Sequence, residues 1–327
     1  EQTATLLQLL RENRFLAVVG TSGSGKSSLV RAGMIAELYG GTMMHAGSTW
    51  EVVILRPGGS PIENLARAMV EADLYDEEDP NSLPRLKATL SRSRFGLVEA
   101  MKQSDGFEPE TNLLIVVDQF EELFRFRQQG VESEEAATAF VNLLLTASEQ
   151  SECPIYVAIT MRSDYLGDCS EIPGLAEAVN EGEYLIPRLL RDQKRDAIEK
   201  PIGVGGAKIA PVLVQRLLND VGDDPDQLPV LQHALMRMWD AWLAAGDVDR
   251  PIDFDDFEAT GGLDAALSFH ADEIYAGLPD DSHRQACERI FQTLTEKGPD
   301  NRGIRRPTRL ARLEAIVDAD RDTVTAI

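Results

Sequence analysis

Apolar positions fall into two rhythms along this chain. Up to about Tyr184, short apolar runs at residues 15–19, 52–55, 113–117 and 155–160, and a briefer one at 184–186, alternate with stretches of helical spacing such as 61–72. Runs of that length predict strands buried on both faces, and their alternation with helices predicts a parallel sheet covered on both sides. The helix after the first run places Leu29, Ala32, Ile35 and Leu38 on one apolar face and stops at Gly40 and Gly41, where glycine favours a helix end. From Leu190 onward the strands vanish. Helical periodicity takes over at 191–200, 212–221 and 228–244, punctuated by "KPIGVGG" and the acidic loop "GDDPDQ". After "GDVDRPIDFDDFEATGG" the pattern predicts helices at 263–276 and 282–296, a polar turn "KGPDNRG" and a last helix near 308–316. A helix, a basic turn and a helix open a winged-helix-like unit, and the strands of its wing are expected only beyond the end of the chain.

The turn after the first run carries phosphate chemistry. In "GTSGSGKS", Gly20 is followed by four residues and then Gly25, Lys26 and Ser27, the Walker A or P-loop pattern in which a strand feeds a loop and a helix N-terminus. Glycines at 20, 23 and 25 allow positive φ and close backbone approach, while unpaired N–H groups and the positive helix end attract phosphate. Thr21, Ser22, Ser24 and Ser28 complete the candidate cradle around Lys26, whose ammonium adds a mobile point charge. Ser27 is then placed to ligate Mg²⁺. The expected ligands are ATP or ADP with Mg²⁺.

"NLLIVVDQFEELF" supplies a second half of the site: the apolar run 113–117 ends in Asp118, and Glu121 and Glu122 open the next helix. An aspartate at a strand tip holds Mg²⁺ through water, and a glutamate one turn on orients the water that attacks the γ-phosphate. The plainer readings are a strand-end cap for Asp118 and, for both glutamates, the acidic preference of any first helical turn. "PIYVAITMRSDYLGD" is a further apolar strand ending in Arg162, a candidate sensor of γ-phosphate charge. A surface-loop arginine is the alternative.

Composition narrows the setting. With 327 residues, 43% hydrophobic and 27% charged, the chain suits two or three globular domains. Its 55 acidic and 32 basic residues give a net charge of −23, which disfavours a nonspecific grip on nucleic acid or anionic membrane. No direct nucleic-acid binding and no membrane association are expected. The same acidity repels ATP, so the loop N–H groups, Lys26 and Mg²⁺ must outweigh it locally, helped by salt screening beyond about 8 Å. Cys153, Cys169 and Cys287 form neither an even set nor a CxxC pair, and a reducing cytoplasm is expected. No apolar run approaches the roughly eighteen residues of a membrane span. A first residue Glu1 in place of Met reads as a piece of something longer.

Six segments, "GTSGSGKSSLVRAGM", "WEVVILRPGGSPIENLARAM", "LLIVVDQFEELF", "AITMRSDYLGD", "LPVLQHALMRMWD" and "GGLDAALSFHADEIYAGL", occur in the order expected of the novel STAND group of signal-transduction NTPases. The chain resembles that family over nearly its whole length. The resemblance implies an α/β P-loop NTPase domain at 1–189 with helices on both sheet faces, an all-helical domain at 190–250 and a partial winged-helix-like domain at 251–327. It implies an ADP-closed, ATP-open switch with slow ATPase turnover, joined to effector and sensor domains and assembling as a homo-oligomer on activation. By position it implies that Lys26 contacts the β- and γ-phosphates, Ser27 and Asp118 serve Mg²⁺, Glu121 or Glu122 positions water, and Arg162 senses the γ-phosphate. "QLPVL" resembles the family's Gly-x-Pro element, which makes Pro229 a candidate adenine contact or simply a helix starter. His233, on the same helix, is a candidate nucleotide contact, with a core or solvent-facing histidine as the plainer reading. Gln119 and Gln227 depart from the family pattern, and its adenine-holding segment is expected to lie before Glu1. An AAA+-like motor and a non-hydrolysing nucleotide-bound scaffold are the alternatives.

Overall fold

The computed structural model describes residues 2–41, 49–104, 107, 111–127, 131–151, 153–222, 227–297, 303–306, 308, 310–317 and 319–327. One compact unit holds residues up to Leu190 together with Gln227 and Leu228, and a second is built from Arg191–Gly222 and Pro229–Ile327.

The first unit is organised by five strands, β1 (Phe15–Gly20), β2 (Thr49–Leu55), β3 (Thr111–Val117), β4 (Ile155–Arg162) and β5 (Glu183–Leu185), in the order β2-β3-β4-β1-β5. Every neighbouring pair is parallel. Alternation along β1 shows why the sheet is covered twice, because successive side chains leave a strand on opposite faces. Phe15, Ala17 and Val19 join one apolar cluster with Leu65 and Met69 of helix Pro61–Glu71 and Phe140 and Leu144 of helix Val131–Glu149. Leu16 and Val18 join the other, with Leu6 and Leu10 of helix Gln2–Asn13 and Met34 and Leu38 of the P-loop helix. Each such aliphatic side chain, wholly withdrawn from water, contributes about 1.5–3 kcal/mol. Helix Leu175–Gly182 meets β1 so closely that a Cβ on Gly182 would lie 2.1 Å from the Phe15 carbonyl oxygen, so only glycine fits there.

The P-loop helix differs from its predicted face. It runs as Lys26–Ser28, a π-helical stretch Leu29–Met34, then Ile35–Tyr39. Val30, Met34, Ile35 and Leu38 are buried, whereas Ala32 is exposed and Leu29 only partly covered. The wider π turn shifts the phase of the helix, and a strict 3.6-residue reading cannot anticipate that. The helix ends at Tyr39, before Gly40 and Gly41 as expected, with Gly41 at φ 84.

After Leu190 the observed helices Arg191–Val204, Pro211–Val221, Gln227–Ala244, Gly262–Ala276, Asp281–Leu294 and Leu310–Val317 fall on the predicted periodic segments, except that the helix expected to reach 296 stops at Leu294. Two features correct the expectation. Strands do not vanish after Leu190: β6 (Thr295–Lys297) and β7 (Gly303–Arg305) form an antiparallel pair between two of these helices. The hairpin thus lies within the chain. Three-residue strands reading "TEK" and "GIR" are too short and too charged to show alternation. The segment read as a connection also holds helix Phe254–Ala259, started by a capping box between Asp253 and Asp256 and tied down by Arg250, whose two terminal nitrogens each reach Asp256 at 2.6 Å. The acidic positions 223–226 and the turn positions 298–302 lie outside the described residues. Among the described residues no helix is long and apolar enough to cross a membrane.

Candidate nucleotide site

Register brings three strand ends together at one edge of the sheet. Gly20 of β1 pairs with Arg162 of β4, and Val117 of β3 pairs with Ile159, so Asp118 stands beside Thr160. Ligands of parallel sheets bind at these carboxyl ends.

The loop leaving β1 has the expected left-handed glycines, Gly23 at φ 70 and Gly25 at φ 86. Gly20 is glycine for a different reason. Its φ is not positive, but a Cβ there would come within 2.6 Å of Ser24 Oγ. Thr21, Ser22 and Ser24 form the turn, and Ser28 closes the first helical segment after Lys26 and Ser27. Lys26 Nζ folds back to donate to the Gly20 and Thr21 carbonyls at 3.0 and 2.7 Å. Burial holds its pKa below the ordinary lysine value, and Glu121 is the foremost of the charges that act on it. Ser24 Oγ is buried with no hydrogen-bond partner, a polar group facing a loop shaped for an anion.

Asp118 is the hub. Its Oδ1 accepts from Ser27 Oγ at 2.6 Å and Thr160 Oγ1 at 2.7 Å, and its Oδ2 accepts from an Arg31 guanidinium nitrogen at 3.2 Å. Burial alone raises the carboxyl's pKa, but the Ser27 and Thr160 hydroxyls and the charges of Arg31 and Arg56 outweigh it, so the group lies below its usual range. A depressed carboxylate contributes stability above its unfolded pKa of 3.8 and loses it as pH falls through the lower folded value. Asp118→Asn should therefore flatten the acid limb of stability. Thermal midpoints of both proteins between neutrality and about pH 3 check this, and equal acid losses would refute it.

The two glutamates separate. Glu121 is buried, and its Oε2 accepts a long bond of 3.4 Å from the Arg162 backbone N–H. Glu122 faces elsewhere, its Oε2 accepting from the Gly58 N–H at 3.2 Å beyond β2. Burial raises the Glu122 pKa against the opposing help of Gly58 and Arg56. The Arg162 guanidinium pairs with Asp164, while its Nε is buried without a partner. Tyr165, beside them, is held by Arg125 Nε at 2.9 Å.

Lys26, Ser27, Asp118, Glu121 and Arg162 are thus brought to one edge. Pro229 and His233 belong to helix Gln227–Ala244 of the second unit, where the His233 ring stands 5.0 Å from that of His270 and its Nε2 is buried without a partner. Sequence reasoning missed Thr160 and Arg31. Thr160 was legible as a polar side chain inside an apolar run, two positions before Arg162 and so on the same face of β4; Arg31 was legible as the residue one helical turn after Ser27.

The donors suit a small hard cation. Ser27 and Asp118 offer oxygen, and among the described residues no group of three or more His, Cys, Asp or Glu side chains could hold a metal ion. Mg²⁺ fits that arrangement, since it uses one or two protein carboxylates and completes its shell with phosphate and water.

Comparison with solved structures finds the same fold in the ADP form of the Aeropyrum pernix ORC2 protein, at TM-score 0.54 and 14% identity over 99% of this chain and 92% of that one. Its ADPNP-ADP complexes match at TM-score 0.52 and 12% identity with the same coverage. The Aeropyrum pernix ORC1 protein in complex with DNA matches at TM-score 0.53 and 13% identity, over 99% of this chain and 80% of that one. At such identities the likeness is one of fold. No functionally curated protein matches the chain. A family model described as novel STAND NTPase 1 matches residues 1–327. With a P-loop, a strand-end aspartate bonded to its serine and a parallel sheet carrying both, the chain belongs to the novel STAND family of P-loop NTPases.

Proposed function

We propose that the chain binds Mg-ATP and hydrolyses it slowly to ADP and phosphate, the two nucleotide states setting a conformational switch in a signalling or defence protein. The observation that carries this reading is the Asp118 carboxylate, tied to Ser27 of the P-loop and set at the same sheet edge as Lys26 and Glu121. The loop N–H groups and Lys26 hold the phosphates, and Ser27 with Asp118 holds Mg²⁺. When bound, that cation neutralises phosphate charge. Glu121 orients the attacking water and accepts its proton, and Arg162 offsets charge that develops on the transferred group.

In the structure these cations bind the chain's own groups: Lys26 its loop carbonyls, Arg162 Asp164 and Arg31 Asp118. Phosphate would redirect Lys26 and Arg162, which supports coupling between nucleotide and conformation. The adenine nucleotides in the ORC2 structures agree with ATP or ADP as the ligand. Effector and sensor partners, and homo-oligomerisation on activation, follow from the family pattern.

The test is the nucleotide content and turnover of the purified protein. The expected result is retained ADP and slow, Mg²⁺-dependent release of phosphate from ATP. Failure to bind either nucleotide would refute the reading. ADP titration of Pro229→Ala and His233→Ala tests whether the second unit contributes to affinity.

A further inference from the structure

Arg31 is left without a role by the nucleotide chemistry, yet it occupies the oxygen of Asp118 that the hydroxyls leave open. Ser27 and Thr160 both donate to Oδ1, and Arg31 takes Oδ2. The Asp118 side chain is 2% exposed and the Arg31 side chain 49%. A carboxylate so deeply placed is costly without a counter-charge. The arginine, half in water, loses little by turning outward. Among the described residues Asp118 is its one ion-pair partner. Arg56 also adds positive charge near Asp118, but no hydrogen bond joins the two among the described residues.

We propose that Arg31 is a built-in substitute for the divalent cation: its guanidinium neutralises Asp118 in metal-free protein and must leave Oδ2 before that carboxylate serves a cation. The inference rests on Ser27 and Asp118 being the cation site. Its consequence is a threshold. Arg31 sets the metal concentration at which nucleotide-bound protein loads, because each loading event first breaks the Arg31–Asp118 pair. The placement is local to the P-loop helix, since Arg31 follows Ser27 by four residues and lies in the π-helical stretch Leu29–Met34.

Manganese titration of the ADP-saturated full chain, with free Mn²⁺ read by electron paramagnetic resonance, tests this without relying on turnover. Arg31→Gln should tighten Mn²⁺ binding about fivefold, the size of one partly exposed ion pair, and Arg31→Lys, which keeps the charge, should stay nearer wild type. In metal-free, nucleotide-free protein, Arg31→Gln should lower the thermal midpoint, and this loss should disappear in an Asp118→Asn background. Unchanged or weaker Mn²⁺ binding by Arg31→Gln, with wild type binding normally, overturns the substitute role and leaves the nucleotide site standing. If wild type and both variants hold ADP but no Mn²⁺, the assignment of the cation site fails, and this inference with it.

Discussion

Lys26→Ala is expected to bind Mg-ATP about 10- to 100-fold more weakly than wild type, with turnover falling at least as far, while the fold persists. The magnitude is that of hydrogen bonds to a charged group, about 1.5–3 kcal/mol. The fold persists because Lys26 projects onto its own loop, where Nζ reaches the Gly20 and Thr21 carbonyls, and belongs to neither apolar cluster of the sheet. Calorimetric titration with a nonhydrolysable ATP analogue, alongside thermal unfolding, measures both parts. Unchanged affinity in a folded variant would remove Lys26 from the phosphate site.

The second large effect separates two adjacent side chains. Glu121→Gln should leave ATP affinity nearly intact and slow hydrolysis about 10²- to 10⁴-fold, the usual contribution of a positioned general base. Glu122→Gln should be far milder. The difference follows from direction: Glu121 is the foremost charge acting on Lys26, whereas Glu122 accepts from the Gly58 backbone beyond β2. Single-turnover rates at saturating ATP measure chemistry apart from binding. Wild-type rates in Glu121→Gln, or a larger loss in Glu122→Gln, would reverse the assignment.

The parts of the chain that were legible beforehand are those where one physical signal dominates. The runs that became β1, β3 and β4 are buried on both faces, so their sequences are almost wholly apolar and their ends carry the polar residues of the site. The P-loop was legible because glycine spacing and lysine have few other uses together. Thr160 stood out in the sequence only as a polar side chain in an apolar run; what it does there could be seen only once register set it beside Asp118. The choice between Glu121 and Glu122 was equally closed to sequence, since consecutive side chains of a helix diverge and only the backbone path decides which one turns toward the loop. β6 and β7 were missed because strands of three residues, "TEK" and "GIR", are too short to carry hydrophobic alternation.

The π turn at Leu29–Met34 has the arithmetic of an insertion. It closes with one residue more than an α turn, and each residue of a helix advances its side chain by about 100°. The chain on either side therefore keeps separate angular phases. Ser27 is aimed by the first, and Ile35 and Leu38 are seated against the sheet by the second. Losing a single residue from the stretch would restore regular winding with both flanks left in place, whereas keeping that residue in a regular α-helix would rotate the phosphate end against the seated residues by about 100°. The wide turn thus holds one extra residue while keeping both the aim of Ser27 at Asp118 and the apolar seating of Ile35 and Leu38.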